Sequence, residues 1–211
     1  IGAAAQRHGA LVVHYSTDYV YPGVGDAFQS EAEPTSPLSV YGASKLAGEA
    51  LLQQSGAAHV IVRTSWVYAP QGKNFPLTIL RLAHERDTLD VIADQIGAPT
   101  SAELIADVTA RIIPSARVHP GIYNLAAAGE TGWHGLAQVL VAEAIAAGAK
   151  LKLTPDAIRP IPASQYPAKA ARPANSRLDT QKLRQTFGVT LPPWQEGIRQ
   201  LIKTLQAEGR L

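Results

Sequence analysis

The chain has 211 residues, 46% of them hydrophobic and 17% charged, with a formal net charge of +2. That composition is ordinary for a globular domain, and the charge is too small to argue for nucleic acid. The absence of Cys excludes a disulfide framework, a thiolate metal site and a cysteine nucleophile, and no stretch reaches the roughly 18 to 20 apolar residues of a membrane span.

The chain opens inside what reads as a helix, Ala3 to His8, with neither an initiator Met nor the basic n-region of a signal peptide. It is read as a fragment, or a chain trimmed at its N-terminus. Leu11 to Tyr15 is a short β-rich apolar run of the kind that forms a buried parallel strand. A polar, Pro- and Gly-bearing stretch from Ser16 to Ser36 follows, too long for a tight turn and so a candidate functional loop. Val40 to Gln54 reads as a helix, with Pro37 near its start and Gly56 just past its end. His59 to Arg63 is a second buried strand, completing the pattern of a βαβ unit.

Asn74 caps a helix to Glu85, and Leu89 to Ile92 is a short strand. Leu104, Ile105, Val108 and Ile112 recur at helical spacing within a helix from Ser101 to Ile113. Gly121 to Leu125 is a third buried strand, and Trp133 to Ala147 is an Ala-rich helix. Leu151 to Asn175 is rich in Pro and lacks periodicity, so it is expected to be surface loop. Asp179 caps a helix to Phe187, ahead of Gly188, and a last helix runs from Pro193 to Ala207.

Four segments carry chemistry: Ser16 to Tyr21, Tyr41 to Lys45, Arg63 to Tyr68 and Arg172 to Leu178. On a helix, Tyr41 and Lys45 share a face. A phenol titrates near 10, and a neighbouring ammonium favours the phenolate, so such a Tyr can protonate a forming alkoxide. A lone Tyr-x-x-x-Lys is more often an ordinary half-buried Tyr and a solvated Lys. Thr17 changes that balance. It lies just past a parallel strand, where open α/β sheets bind ligands, and its hydroxyl could polarise a carbonyl. Taken alone, Ser16, Thr17 and Asp18 serve equally well as a turn. The order of a strand-end hydroxyl, a long loop and then Tyr-x-x-x-Lys is far more specific than either piece.

With Ser16-Thr-Asp-Tyr-Val-Tyr21, Val40-Tyr-Gly-Ala-Ser-Lys-Leu-Ala-Gly-Glu49, Arg63-Thr-Ser-Trp-Val-Tyr68, Asp94 to Thr100 and Arg172 to Leu178, nearly the whole chain resembles the extended short-chain dehydrogenase/reductases. Among them it is most similar to the dTDP-4-dehydrorhamnose reductases. The resemblance implies an α/β fold: a Rossmann-like, doubly wound parallel sheet lacking its first βαβ units, with a small C-terminal α/β substrate-binding subdomain. Residues 1–66 with 86–125 would form the dinucleotide-binding part, and 67–85 with 126–211 mainly the substrate-binding part.

The implied reaction is NADPH- or NADH-dependent reduction of the C4 keto group of dTDP-4-dehydro-L-rhamnose to dTDP-L-rhamnose, a cytoplasmic step toward cell-surface polysaccharide. By position, Tyr41 donates the proton, while Lys45 tunes it and bonds the nicotinamide ribose. Ser16 joins them on the cofactor side. Thr17 bonds the carbonyl, and Asp18 and Trp66 contact substrate, although a Trp after a strand can equally be core.

The family can hold Mg²⁺ through glutamates, and Glu103 matches one such position. An acid in a helix's first turn is, however, already favoured by the helix dipole, and this is the preferred reading. Arg172, Asn175 and Arg177 could face a diphosphate or simply pair on the surface. A homodimer is compatible with the resemblance; nucleic acid and membrane partners are not expected.

No Gly-rich turn feeding a helix is present to hold a pyrophosphate, so this chain by itself is expected to bind cofactor poorly and turn over little. Two alternatives remain. One is another sugar-nucleotide epimerase or reductase of the superfamily; the absence of Glu after Asp18 argues against a dehydratase. The other is a non-catalytic subunit resembling the regulatory subunit of methionine adenosyltransferase.

Overall fold

A computed structural model of the chain describes residues 1–166 and 170–211. In chain order its helices and strands begin with α1 (Gly2–Arg7), β1 (Val12–Thr17), α2 (Val40–Gln54), β2 (His59–Thr64), β3 (Val67–Tyr68), α3 (Phe75–Glu85), β4 (Leu89–Ile92), β5 (Ile96–Gly97) and β6 (Thr100–Ser101). They continue with α4 (Ala102–Ile112), β7 (Gly121–Leu125), β8 (Thr131–Gly132), α5 (Trp133–Ala146), β9 (Ile158–Ile161), α6 (Gln181–Phe187) and α7 (Trp194–Ala207). Among the described residues, no helix is long and apolar enough to cross a membrane.

The chain divides into two compact units. The first comprises Ile1–Ser65, Ile105–Ala126 and, further on, residues 170–191. Its centre is a three-stranded parallel sheet in the order β1-β2-β7. Val60, Ile61 and Val62 of the middle strand are buried, as an unbroken apolar run requires when both faces of a parallel sheet are covered. Ser39 caps α2, accepting from the Gly42 N–H at 3.1 Å, because an extended residue at that position can satisfy an otherwise free helix donor. On α4, the Thr109 hydroxyl lies 2.8 Å from that of Tyr15 on β1. The parallel α/β fold expected from the alternating strand and helix patterns is the fold observed.

The second unit comprises Trp66–Leu104, residues 127–166 and Pro192–Leu211. Its core lies among α3, α5 and α7, with Leu80, Leu136, Leu140, Val141, Ile198 and Leu205 buried together. Asn74 caps α3, accepting from the Leu77 N–H at 3.1 Å, and Pro76 occupies the first turn, where no helical donor is lost.

One expectation needs correction here. The stretch from Leu151 to Asn175 is not all loop: it contains β9, which pairs in parallel with β4. Pro160 within β9 disguises it, since Pro is tolerated only where a strand lacks a ladder donor, as at an edge. β4, with residues 86–104 around it, falls within the second unit, and 170–191 fall within the first. Part of that stretch, 167–169, lies outside the described residues. The paired fragments β3–β6 and β5–β8 are two residues long each, too short to leave a periodic signal.

Candidate active site

Ser16, Thr17, Asp18, Tyr41 and Lys45 all fall in the first unit, at the carboxyl end of β1 and the first turns of α2. The chain leaves β1 at Thr17 and enters a tight 3-10 turn, Asp18–Val20. Thr17 sets that turn: its Oγ1 accepts from the Tyr19 N–H at 3.2 Å and donates to Asp18 Oδ1 at 3.1 Å. All three residues from Ser16 to Asp18 are buried.

α2 lies directly against this turn. A Cβ on Gly42 would collide with the Tyr19 carbonyl oxygen, so the glycine after Tyr41 permits the close approach. The Tyr41 ring meets the Tyr19 ring edge-on, with centroids 5.5 Å apart. One turn further, Lys45 Nζ donates to the backbone carbonyl of Tyr15 at 2.5 Å. The lysine is thereby held beside β1, and an ammonium has three donors, so this bond leaves capacity for a ligand. Tyr41 itself is 54% exposed.

Several buried polar atoms at this end of the sheet have no partner among the described residues: Ser16 Oγ, Asp18 Oδ2, Thr64 Oγ1 and Ser65 Oγ. Thr17 and Thr64 are register partners on β1 and β2, so these atoms gather at adjoining strand ends. Buried polar groups are usually satisfied, and unsatisfied ones in the crevice of an open α/β sheet are where a polar ligand would bind. Burial pushes the Asp18 carboxyl up to about 6, against the opposing pull of the Ser176 and Thr17 hydroxyls. On β1, two residues before Ser16, His14 Nε2 is likewise unpartnered. Burial first, and the Lys45 charge second, hold the His14 imidazole below its ordinary value.

The other candidates separate. Trp66 belongs to the second unit, where its ring stacks on that of Trp133 with centroids 3.5 Å apart. Its φ of 48° is the only positive value at a non-glycine among the described residues; an aromatic side chain there is strained, and such strain collects at ligand sites. Glu103 is exposed in the first turn of α4. Among the described residues, no three His, Cys, Asp or Glu side chains are grouped so as to hold a metal ion.

Asn175 is committed elsewhere. Its Nδ2 donates to the Ala27 carbonyl at 2.7 Å, and its Oδ1 accepts from the backbone and side chain of Arg177. Asn175 therefore pins its segment to the loop before it and is not free for a diphosphate. Arg172 is exposed, and its charge reaches Tyr19. Thr64, Ser65, Tyr19 and Ser176 were not selected from sequence. All four lie within the segments singled out there, but only burial without partners, or contact with Tyr41 and Asp18, distinguishes them from neighbouring hydroxyls.

A family model described as the RmlD substrate binding domain matches residues 1–207. The dTDP-4-dehydrorhamnose reductase of Salmonella typhimurium is 52% identical over 205 residues, covering 96% of this chain and 68% of the relative. That of Escherichia coli K12 is 50% identical over 208 residues, covering 97% and 69%. Among solved structures, the dTDP-4-dehydrorhamnose reductase of Bacillus anthracis in complex with NADP superposes with a TM-score of 0.87 at 32% identity, covering 96% of this chain and 68% of that one. The chain belongs to the dTDP-4-dehydrorhamnose reductase family.

Proposed function

We propose that this chain carries the substrate-reducing half of an NAD(P)H-dependent oxidoreductase that converts the C4 ketone of dTDP-4-dehydro-L-rhamnose to the alcohol of dTDP-L-rhamnose. The observation that carries the reading is the packing of Tyr41 and Lys45 against a strand end where buried hydroxyls and one carboxylate oxygen lack partners, in a chain about half identical to reductases of that name. The residues fit the nicotinamide end of a dinucleotide. Lys45 retains free donors for ribose hydroxyls, and Ser16 Oγ and Ser65 Oγ are buried polar atoms in need of a partner.

When bound, the reduced nicotinamide supplies hydride to the C4 carbon. The chain's own residues handle the oxygen. Thr17 donates a hydrogen bond to the carbonyl, rotating its hydroxyl away from Asp18 Oδ1, so that charge growing on oxygen meets a fixed donor. Tyr41 then passes its proton to that oxygen. The Lys45 ammonium, fixed by the Tyr15 carbonyl, stabilises the phenolate left behind. Asp18 accepts from a sugar hydroxyl through its unpartnered Oδ2. The product suits a precursor of cell-surface polysaccharide made in the cytoplasm. No step is assigned to Mg²⁺.

Replacing Tyr41 by Phe removes the proton and little else. In a form of this chain extended to the length of its relatives, oxidation of NADPH by the ketosugar should fall by about 10²- to 10⁴-fold, with substrate affinity largely kept. Turnover within a few-fold of the unaltered protein would remove Tyr41 from this role.

A further inference from the structure

Tyr41, Lys45 and Glu49 lie at successive four-residue steps of α2, along one side of the helix. Burial deepens along this line: Tyr41 is 54% exposed, Lys45 half-buried and Glu49 1% exposed. At the deep end, Glu49 takes a two-pronged bond from Arg63 of β2, with Nε to Oε1 at 3.0 Å and Nη2 to Oε2 at 2.6 Å. Arg63 is itself 3% exposed. Its remaining nitrogen, Nη1, donates to the Tyr21 hydroxyl at 2.9 Å. Tyr21 terminates the turn that begins at Thr17 and Asp18, and its hydroxyl donates onward to Asn124 Oδ1 of β7 at 3.2 Å. Asn124 in turn donates to the Gln29 carbonyl, and its N–H is held by Glu31.

A buried ion pair is a poor source of stability, because desolvation offsets much of the attraction and apolar residues of similar size often do as well. What such a pair fixes is geometry: a planar guanidinium with two parallel bonds sets both the distance and the rotation of its partner. One arm of Arg63 fixes α2, and with it Tyr41 and Lys45. The other fixes the turn that carries Thr17 and Asp18.

We propose that Arg63, with Glu49 and Tyr21, is a positioning residue that sets the proton donor and the carbonyl-binding hydroxyl in register with each other. This rests on the roles assigned above to Tyr41 and Thr17. Arg63 touches neither substrate nor cofactor, and its effect is exerted through α2 and the Thr17 turn. Misplacement by about an ångström at a reacting centre is enough to cost around 10²-fold in rate.

The test, made in a form of this chain extended to the length of its relatives, is the double variant Glu49→Leu with Arg63→Met, which replaces the pair by apolar groups and leaves neither charge of the pair buried. Circular dichroism and thermal melting establish that it folds. The expected result is a kcat lower by about 10- to 100-fold with KM within about two-fold, the pattern of a contribution made only in the transition state. Leu140→Ala, in the core of the second unit, is the control: it should lower stability and leave kcat unchanged. Arg63→Lys keeps the charge and loses the fork, and it should fold even if the double variant does not, with kcat reduced at constant KM.

Wild-type kcat in a folded double variant, or in Arg63→Lys, overturns the proposal. Tyr41→Phe, run in parallel, separates the two levels. If it abolishes turnover while the Arg63 variants match wild type, only the positioning role fails. If it retains turnover, the catalytic reading fails and the positioning role fails with it.

Discussion

The two units bury different chemistry. In the second, the core is apolar: Leu136, Leu140, Val141, Ile198 and Leu205 are packed among three helices. In the first, polar groups go under with the apolar strands: the Arg63–Glu49 pair, Asn124, Asp18 and a set of strand-end hydroxyls without partners. An apolar core gains by removing area from water. A polar core costs desolvation wherever a group is left unpaired; in the first unit such groups gather at one strand end, which points to a function carried there, whereas in the second the Tyr68 hydroxyl is the buried side-chain polar atom without a partner among the described residues. The lesson is one of division of labour. One unit is held by packing, and the other accepts energetic cost to keep donors, acceptors and charges at fixed positions.

Three substitutions sharpen that contrast, in descending order of expected effect on stability. Arg63→Met by itself strands the Glu49 carboxylate in the interior, and breaking a buried pair from one side costs about 3–5 kcal/mol. Denaturant unfolding should register that loss, whereas the double variant with Glu49→Leu should recover most of it; if the single and double variants match, the pair is not acting as a buried charge couple.

Leu140→Ala tests the apolar unit. Leu140 is fully buried, and large-to-small changes at such sites cost about 2–5 kcal/mol through lost burial and a residual cavity. A cost below about 1 kcal/mol, the size of an exposed substitution, would mean that the second unit does not rely on this core.

Asp18→Asn tests the polar unit and has the opposite sign. Burial raises the folded Asp18 carboxyl to about 6 from an unfolded value of 3.8, so the folded state favours the protonated form. As pH rises between those values the folded state holds the extra proton, and stability falls until the penalty levels off above about 6. Asn carries no such penalty. The variant should therefore gain about 1–3 kcal/mol near pH 7 and nothing below 3.8, read as a rise in Tm that vanishes on acidification. A lower Tm near neutrality would contradict the burial of an ionised Asp18.

Much of the first unit was legible in the amino-acid order. A run such as His59–Thr64, bracketed by a capped helix and polar loops, leaves few alternatives to a buried parallel strand, because the apolar run is continuous rather than alternating. Helical spacing puts Tyr41 and Lys45 on one face, but it took Thr17 at the strand end and the family resemblance to make that pair legible as a site. The second unit was harder to read. β9 was hidden by Pro160, and β4, though visible as a strand, could not be assigned a partner, since strand pairing depends on contacts far apart in the chain.

The sequence by itself determined which side chains could do acid–base and hydrogen-bonding chemistry, and their order along the chain, since both follow from residue type and local period. Only the tertiary structure decided which of them are buried without partners, that Asn175 is spent on its own loop, and that Arg63 joins α2 to the Thr17 turn. Those facts depend on burial and on hydrogen bonds between residues distant in sequence, and neither is encoded in any local pattern.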